Sequence, residues 1–303
     1  MSASGLIINL LKPPGMTSHD VIDAMRAIAK MKRIGHAGTL DPAAAGVLLV
    51  MTGARARLSS YLMAYDKKYR VEVTFGVATD TGDPQGEIIE EMDASGVGED
   101  EVVAAVAALK GVILMKPHKF SAAKVHGERA YDIARRGDEP DLAERAVVLH
   151  QVRLLKFDGG KNPRALIEVH CGKGTYVRSL AEMIGRRVGN CGHASFVLRT
   201  EVGPISINDS RTIEELRELA DRGELESATL PLEDVLSGYP RARVTPEQVR
   251  MLAHGTAVPT TEGGRLGDVV AVYDDADELV GMAEIRGAQP QVLQPRLVLK
   301  AGA

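Results

Sequence analysis

A glycine-rich loop leads directly into an apolar run in the first fifth of the chain. It reads GHAGTLDP at residues 35–42, and AAAG followed by VLLV continues it through residues 43–50. Pro42 restricts its own backbone and favours an extended conformation at Asp41. An isolated Asp-Pro is typical of an ordinary turn, but a short apolar run after such a loop predicts a buried strand. The pattern therefore places one carboxylate, Asp41, on a rigid mount of the kind that displays catalytic groups.

Composition sets limits on the class of protein. The chain has 303 residues, of which 45% are hydrophobic and 26% charged, enough for a sizeable core and about two domains. Two cysteines, Cys171 and Cys191, do not make a disulfide framework. The apolar run at residues 6–11 is too short for a signal peptide or a membrane span. We therefore expect a cytoplasmic protein that does not act at a membrane.

Strand and helix signals are mixed along the first 239 residues. Ser18 is the predicted cap of a helix whose apolar positions recur at helical spacing, and a second helix is predicted from Thr175 to about Val188. A basic helical segment is expected at residues 128–136. Strands are predicted at residues 6–11, 69–75, 147–157 and 165–171. This mixture predicts an α+β fold with one large mixed or antiparallel sheet flanked by helices.

A second unit is predicted to begin near residue 240. Thr245, Pro246 and Gln248 together form a strong helix start, with a capping hydroxyl and a proline at the first helical position. Short strands follow around residues 268–273, 279–285 and 297–300. The predicted organisation is a catalytic domain at residues 1–239 and a small β-rich domain at residues 240–303.

The net charge of −4 hides an uneven distribution. Acidic residues are concentrated at residues 87–101 and 214–226. Between these blocks lies a basic cluster of Lys116, Lys119, Lys124, Arg129, Arg135 and Arg136. Charge alone leaves two interpretations open, a phosphate-binding surface or an ordinary solvated face.

Six motifs, in order and spacing, resemble those of the TruB family of tRNA pseudouridine synthases, and the likeness covers nearly the whole chain. They are KPPGMTS at residues 12–18, GHAGTLDP at 35–42, DKKYR at 66–70, FSAAK at 120–124, KGTYVR at 173–178 and LRT at 198–200. The resemblance implies a pseudouridine synthase fold, an RNA-clamping insertion at about residues 115–137, and a PUA-like RNA-binding domain at residues 240–303. It implies the T stem-loop of tRNA as partner and its uridine 55 as the target.

The reaction of this family exchanges the bond from ribose C1′ to uracil N1 for a bond from C1′ to C5. The exchange needs neither redox chemistry nor an energy source, so no cofactor and no metal are expected. The resemblance assigns the catalytic carboxylate to Asp41, and attack at C1′, addition to the uracil ring and proton abstraction from C2′ all stay open. Arg178 is expected to form an ion pair with Asp41. Tyr69 is expected to stack on the flipped base and to help with the C5 proton.

The resemblance also implies contacts to the RNA. His36 is expected to approach the target loop, and Leu198 to supply an apolar wall of the uracil pocket. Lys12 is expected to support the catalytic loop, and it is counted among the substrate-binding residues. The insertion contributes Lys116, Lys119, Lys124 and Arg129 as RNA contacts.

The chain departs from the family pattern at three positions. Leu11 replaces a frequent Asp, Met115 replaces a usual Gln, and His118 stands where a proline or a small residue is usual. These departures leave Asp41, Tyr69 and Arg178 unchanged, so they bear on RNA contacts rather than on the reaction.

Three other classes of site or protein fit the sequence less well. A zinc site from His170, Cys171, Cys191 and His193 lacks the usual ligand spacing. The GKG at residues 172–174 lacks the order of a phosphate-binding P-loop. An RNA-binding or tRNA-folding protein on a synthase fold would be expected to lack Asp41.

A guide-dependent relative within the family would carry a long basic tail, which this sequence does not show. We therefore expect a stand-alone monomeric enzyme without an obligate protein partner.

Overall fold

The computed structural model describes residues 5–121, 123–125, 127–262, 264–287 and 290–300, without the Arg129 side chain. The strands of this part are β1 Ile7–Lys12, β2 Ile34–His36, β3 Ala45–Thr52, β4 Lys67–Phe75, β5 Val77–Thr79, β6 Ile88–Glu91, β7 Gly111–Met115, β8 Lys124–Val125, β9 Glu128–Arg129, β10 Arg145–Asp158, β11 Arg164–Cys171, β12 Gly192–Val202, β13 Ile205–Ser206, β14 Arg241–Arg243, β15 Val258–Pro259, β16 Val269–Tyr273, β17 Leu279–Arg286 and β18 Val292–Val298. The helices are α1 Ser18–Ala29, α2 Ser59–Met63, α3 Glu99–Ala107, α4 Ala130–Arg135, α5 Val177–Arg187, α6 Ile213–Asp221, α7 Leu232–Val235 and α8 Pro246–Ala253.

A nine-stranded sheet organises the first part of the chain. Its main order is β1-β3-β12-β4-β11-β10-β7, with β2 added to β3 and β13 added to β12. Neighbouring strands run antiparallel except for β3 and β12, which are parallel. Every residue of β3 is buried, as expected for a strand that is covered on both faces. The predicted α+β class with a large mixed sheet is confirmed.

Helices cover the sheet where the strand patterns predict apolar faces. In β4, buried and less buried residues alternate along the strand, and its buried side packs against α5 and α3 in one core that includes Tyr69, Val71 and Leu180. At the other end of the sheet, α1 packs Val21 and Met25 against β1 and β3. The catalytic loop predicted from the sequence thus lies between two helix-covered regions.

Three predicted element starts are wrong in detail. The cap of α1 is Thr17, whose hydroxyl accepts from the backbone N–H of Asp20 in a capping box, because Ser18 is already helical and bonds to Leu40 instead. The predicted basic helix at residues 128–136 begins as β9, which pairs with β8 in a short hairpin before α4 starts. Helix α5 starts at Val177, two residues after the predicted Thr175.

The chain ends in a separate five-stranded sheet of order β14-β16-β17-β18-β15. Helix α8 begins behind Thr245 as predicted, whereas the last long strand spans Val292–Val298 rather than residues 297–300. Side chains of this sheet, including Tyr273 and Met282, share an apolar cluster with Ile7 of β1. The division at residue 240 and the PUA-like assignment stay predictions.

Within the described ranges, we find no helix with the length and apolar character that crossing a membrane requires.

Candidate active site

The backbone of the loop that carries Asp41 is bonded to the side chain of Lys12. The Lys12 side chain is fully buried, and its Nζ donates to the carbonyl oxygens of Pro13 at 2.9 Å, Pro42 at 3.3 Å and Ala44 at 2.6 Å. Burial lowers the pKa of Lys12 to about 8, against the opposing charge of Asp41. Direct contact between Lys12 and RNA is incompatible with this burial. The structure assigns Lys12 to support of the loop alone.

Two further side chains hold the loop from the flanks. The Ser18 hydroxyl accepts from the Leu40 N–H at 2.9 Å and donates to the Leu40 carbonyl at 3.0 Å. Arg199, also buried, donates to the carbonyls of Gly38 and Val47. Gly46 has a φ of +114°, and a Cβ added there would lie 2.1 Å from the Arg199 carbonyl oxygen. The backbone around Asp41 is therefore fixed on both sides.

The predicted ion pair between Asp41 and Arg178 is present. Arg178 Nε lies 2.8 Å from Asp41 Oδ2, and the Arg178 side chain is 7% exposed against 38% for Asp41. The remaining guanidinium nitrogens are also engaged: Nη1 donates to the Thr81 carbonyl at 2.6 Å, and Nη2 donates to the Phe120 carbonyl at 2.7 Å. Because a planar guanidinium with every nitrogen bonded has one orientation, Arg178 presents a fixed cation to Asp41.

A second carboxylate on Arg178 was not predicted from the sequence. Asp83 Oδ2 lies 3.4 Å from Arg178 Nη1, and its side chain is as buried as that of Arg178. Its other oxygen accepts from the Thr81 hydroxyl and the Gln85 N–H. The sequence TDTGDPQG at residues 79–86 signals a turn and gives no sign that one of its acids is turned inward.

We expect Asp83→Asn to lower the turnover rate by about 10- to 100-fold, because a charge-assisted bond to a buried guanidinium is worth about 1.5–3 kcal/mol. Single-turnover kinetics at saturating substrate measure this effect. The matched control is Asp80→Asn in the same turn, whose carboxylate accepts from the Glu87 N–H away from Arg178. Equal rates for both variants would show that Asp83 does not position Arg178.

Asp41 and Arg178 open onto a cavity of about 130 Å³. Its other lining residues are Thr39, Leu40, Ala44, Tyr69, His118, Ser121, Thr175, Tyr176, Val177 and Val197. Cavities on the order of 150 Å³ accept one six-membered ring. Burial raises the pKa of the Tyr69 phenol, so this group stays protonated at neutral pH. The cavity thus combines an acid, a guanidinium and an aromatic wall at the scale of one base.

Two residues predicted to contact the RNA, Leu198 and His36, are not among the described residues that line the cavity. In β12 the residue that lines the cavity is Val197 rather than Leu198, because successive side chains of a strand point to opposite faces. His36 ends β2 half-buried, just before the loop, and it is not among the described residues that line the cavity. Its approach to RNA stays a prediction.

The insertion closes one side of the cavity through His118 and Ser121. Met115 and His118, two of the departures from the family pattern, both contact the site: Met115 Sδ accepts from the Tyr176 N–H at 3.3 Å, and His118 is a lining residue. His118 also lines an adjoining cleft of about 530 Å³, with Lys116 and Lys119.

Lys124 is exposed on the β8–β9 hairpin. The side chain of Arg129, predicted as an RNA contact, lies outside the described part of the structure.

The zinc site considered from the sequence does not form. Cys171 pairs with Lys67 at one end of β4, and Gly192, next to Cys191, pairs with Phe75 at the other. Eight strand residues separate these ends by about 26 Å, so one ion cannot bind both cysteines. Burial raises the pKa of the Cys171 thiol to about 11, which suits a structural residue.

Comparison with known proteins gives a consistent assignment. Residues 26–177 match the model for TruB family pseudouridylate synthase, N terminal domain. The chain is 43% identical to tRNA pseudouridine synthase B of Pelotomaculum thermopropionicum over 252 residues, covering 82% of this chain and 80% of the relative. It is 37% identical to tRNA pseudouridine synthase B of Moorella thermoacetica over 303 residues, covering 97% and 98%.

The solved structures extend the likeness to the fold. A chain in the crystal structure of a Cbf5-Nop10-Gar1 complex superposes with a TM-score of 0.78 at 24% identity, covering 98% of this chain and 85% of that one. Together with the family match, this confirms the predicted pseudouridine synthase fold. On these sequence and structural matches, the chain belongs to the TruB family of pseudouridine synthases.

Proposed function

We propose that this protein is a tRNA pseudouridine synthase that isomerises the T-loop uridine at position 55, with Asp41 as its catalytic carboxylate. The observation that carries the proposal is the Asp41–Arg178 ion pair at the edge of a ring-sized cavity that Tyr69 also lines. The relatives named tRNA pseudouridine synthase B support the substrate class.

The chemistry of the site suits an isomerisation. The bond from C1′ to N1 breaks, the uracil turns, C1′ bonds to C5, the C5 proton leaves and N1 gains a proton, so no atom is added or lost overall. Asp41 supplies the anion that each of the three possible routes requires. Arg178 Nε bonds this carboxylate and fixes its orientation at the edge of the cavity.

Access to the target requires base flipping. A uridine stacked in the T loop must leave the stack at a cost of a few kcal/mol before it can enter an enclosed cavity. Tyr69 offers a flat aromatic surface to the flipped ring. The insertion, with Lys116 and Lys119 beside the adjoining cleft, is where we place the backbone of the RNA stem-loop.

The lysines of the insertion give a test of this placement. Replacing Lys116, Lys119 and Lys124 together by Gln should weaken tRNA binding and reduce the slope of log Kd against log salt by about 2–3. The slope falls because binding releases fewer counterions when fewer phosphates are contacted. Filter binding at several salt concentrations measures the slope. The triple variant of Lys110, Lys156 and Lys161, all exposed, changes the net charge equally and should leave the slope near wild type. Equal slopes for the two triple variants would place the RNA elsewhere.

The decisive experiment is a tritium-release assay with the purified protein and unmodified tRNA labelled at uridine C5, without metal or nucleotide. Release by the wild type and none by Asp41→Asn supports the reaction and the residue. Loss of release from a transcript with cytidine in place of uridine 55 supports the target. Equal tritium release from the cytidine transcript would support the isomerisation but contradict uridine 55 as its target.

The same assay tests whether the enzyme acts alone, since the mixture contains no guide RNA and no second protein.

We infer a monomer that works in the cytoplasm, where its tRNA substrate is found. We infer a PUA-like, RNA-binding role for residues 240–303. A protein that binds tRNA but releases no tritium would instead fit the RNA-folding alternative.

A further inference from the structure

A cluster of potential metal ligands lies on the large sheet outside the catalytic cavity. Asp66 precedes β4, His150 lies in β10 and His170 lies in β11. His150 Nε2 is 3.0 Å from Asp66 Oδ2, and His170 Nε2 is 4.0 Å from the same oxygen. The three donor atoms all lie within 4.8 Å of one another. Of these three residues, none lines the cavity that holds Asp41.

Backbone irregularity brings the two histidines together. The register of β10 against β11 shifts between Leu149, which pairs with Cys171, and Gln151, which pairs with His170. His150 is the extra residue of this β-bulge, and bulges redirect a side chain relative to regular alternation. The two imidazole rings consequently lie 4.7 Å apart between centroids, tilted by 44°.

The donor spacing suits a small transition metal ion. Tetrahedral Zn²⁺ with bonds of about 2.0–2.1 Å separates its ligand atoms by about 3.3 Å, so small side-chain adjustments would bring all three donors into range. The side chains of Asp66, His150 and His170 are 47%, 39% and 35% exposed. An ion could therefore enter from solvent and keep water in its open positions.

The chemistry of the donor set narrows the choice of ion. Two imidazole nitrogens and one carboxylate are typical ligands of Zn²⁺ and its first-row neighbours. Mg²⁺ and Ca²⁺ prefer oxygen donors, so the set does not suit them. The neighbouring ammonium of Lys68 is bound to Glu201 at 2.9 Å, which balances its charge beside the site.

We propose that Asp66, His150 and His170 form a binding site for one divalent first-row transition metal ion such as Zn²⁺. The ion would link β10 and β11 to the residue that precedes β4, at the end of the sheet where β11 ends. The site is separate from the proposed catalytic machinery, so its role is to stabilise this end of the sheet rather than to take part in the isomerisation.

The test uses untagged full-length protein, stripped with a chelator and titrated calorimetrically with Zn²⁺. We expect one saturable equivalent in the wild type, and binding weakened by at least about tenfold in His150→Ala, because even partners that only orient a ligand cost 10- to 100-fold in affinity. Mg²⁺ should produce no saturable binding. Co²⁺ should give a visible absorption band in the wild type that His150→Ala lacks.

The matched control is His19→Ala. His19 is an exposed histidine 3.7 Å from a carboxylate, Asp23, on α1, and its loss should change neither the stoichiometry nor the affinity. Asp66→Asn preserves side-chain shape and serves as a second variant, with thermal unfolding of each metal-free variant as the check of folding. Absence of saturable Zn²⁺ binding, or equal binding by the wild type and the His150 and Asp66 variants, would overturn the proposal.

Discussion

Asp41→Asn should lower tRNA turnover by at least about 10³-fold while leaving the Kd for tRNA within about tenfold. In the proposed mechanism the carboxylate acts on the reacting nucleotide, whereas binding energy comes mostly from contacts to the RNA backbone. The structure isolates this effect, because the loop is held by Lys12, Ser18 and Arg199 through backbone carbonyls rather than through the Asp41 side chain. Single-turnover tritium release gives the rate, and filter binding gives the Kd.

Asp23→Asn is the control for loss of one acidic charge, since Asp23 is exposed and pairs with Arg26 on α1. It should retain wild-type turnover and binding. Near-normal turnover by Asp41→Asn would remove Asp41 from the mechanism, and a large loss of binding would assign it to RNA recognition instead.

Arg178→Lys should be damaging even though the positive charge is kept. A lysine offers one nitrogen in place of the planar fork that bonds Asp41, Thr81, Asp83 and Phe120, so buried acceptors lose their donors. We expect turnover to fall by about 100-fold or more, and the free energy of unfolding to fall by about 2–4 kcal/mol. Chemical denaturation and single-turnover kinetics measure the two effects separately.

Arg186→Lys gives the comparison at the other end of α5. Its guanidinium is exposed and paired with Glu90, so the free energy of unfolding should change by no more than about 0.5 kcal/mol. Equal stability of the two lysine variants would mean that Arg178 does not hold the site together.

The sequence predicted the features that depend on local pattern. The alternation of β4, the buried strand after the Asp41 loop and the Thr245 helix start follow from side-chain periodicity and capping chemistry, and each is confirmed. The partnership of Asp41 with Arg178 came from motif resemblance, since no local rule joins residues so distant in the chain. The structure confirms that pair as well.

The features that were missed depend on tertiary placement. The sequence around Asp83 indicates an ordinary turn, and only the packing of that turn against Arg178 gives the carboxylate its role. Val197 rather than Leu198 lines the cavity because of the face that β12 turns toward it. The proximity of His150 to His170 depends on one β-bulge, which shifts register without a recognisable sequence signal.

The bond from Arg178 to the Phe120 carbonyl joins the insertion to the residue that pairs with Asp41. Since Phe120 belongs to the insertion, any ligand that displaces this segment must also disturb the cation that orients Asp41. We therefore expect an RNA that displaces the insertion to be modified slowly, even where its affinity is high. Measured rates of modification, rather than affinities, should then separate good substrates from poor ones.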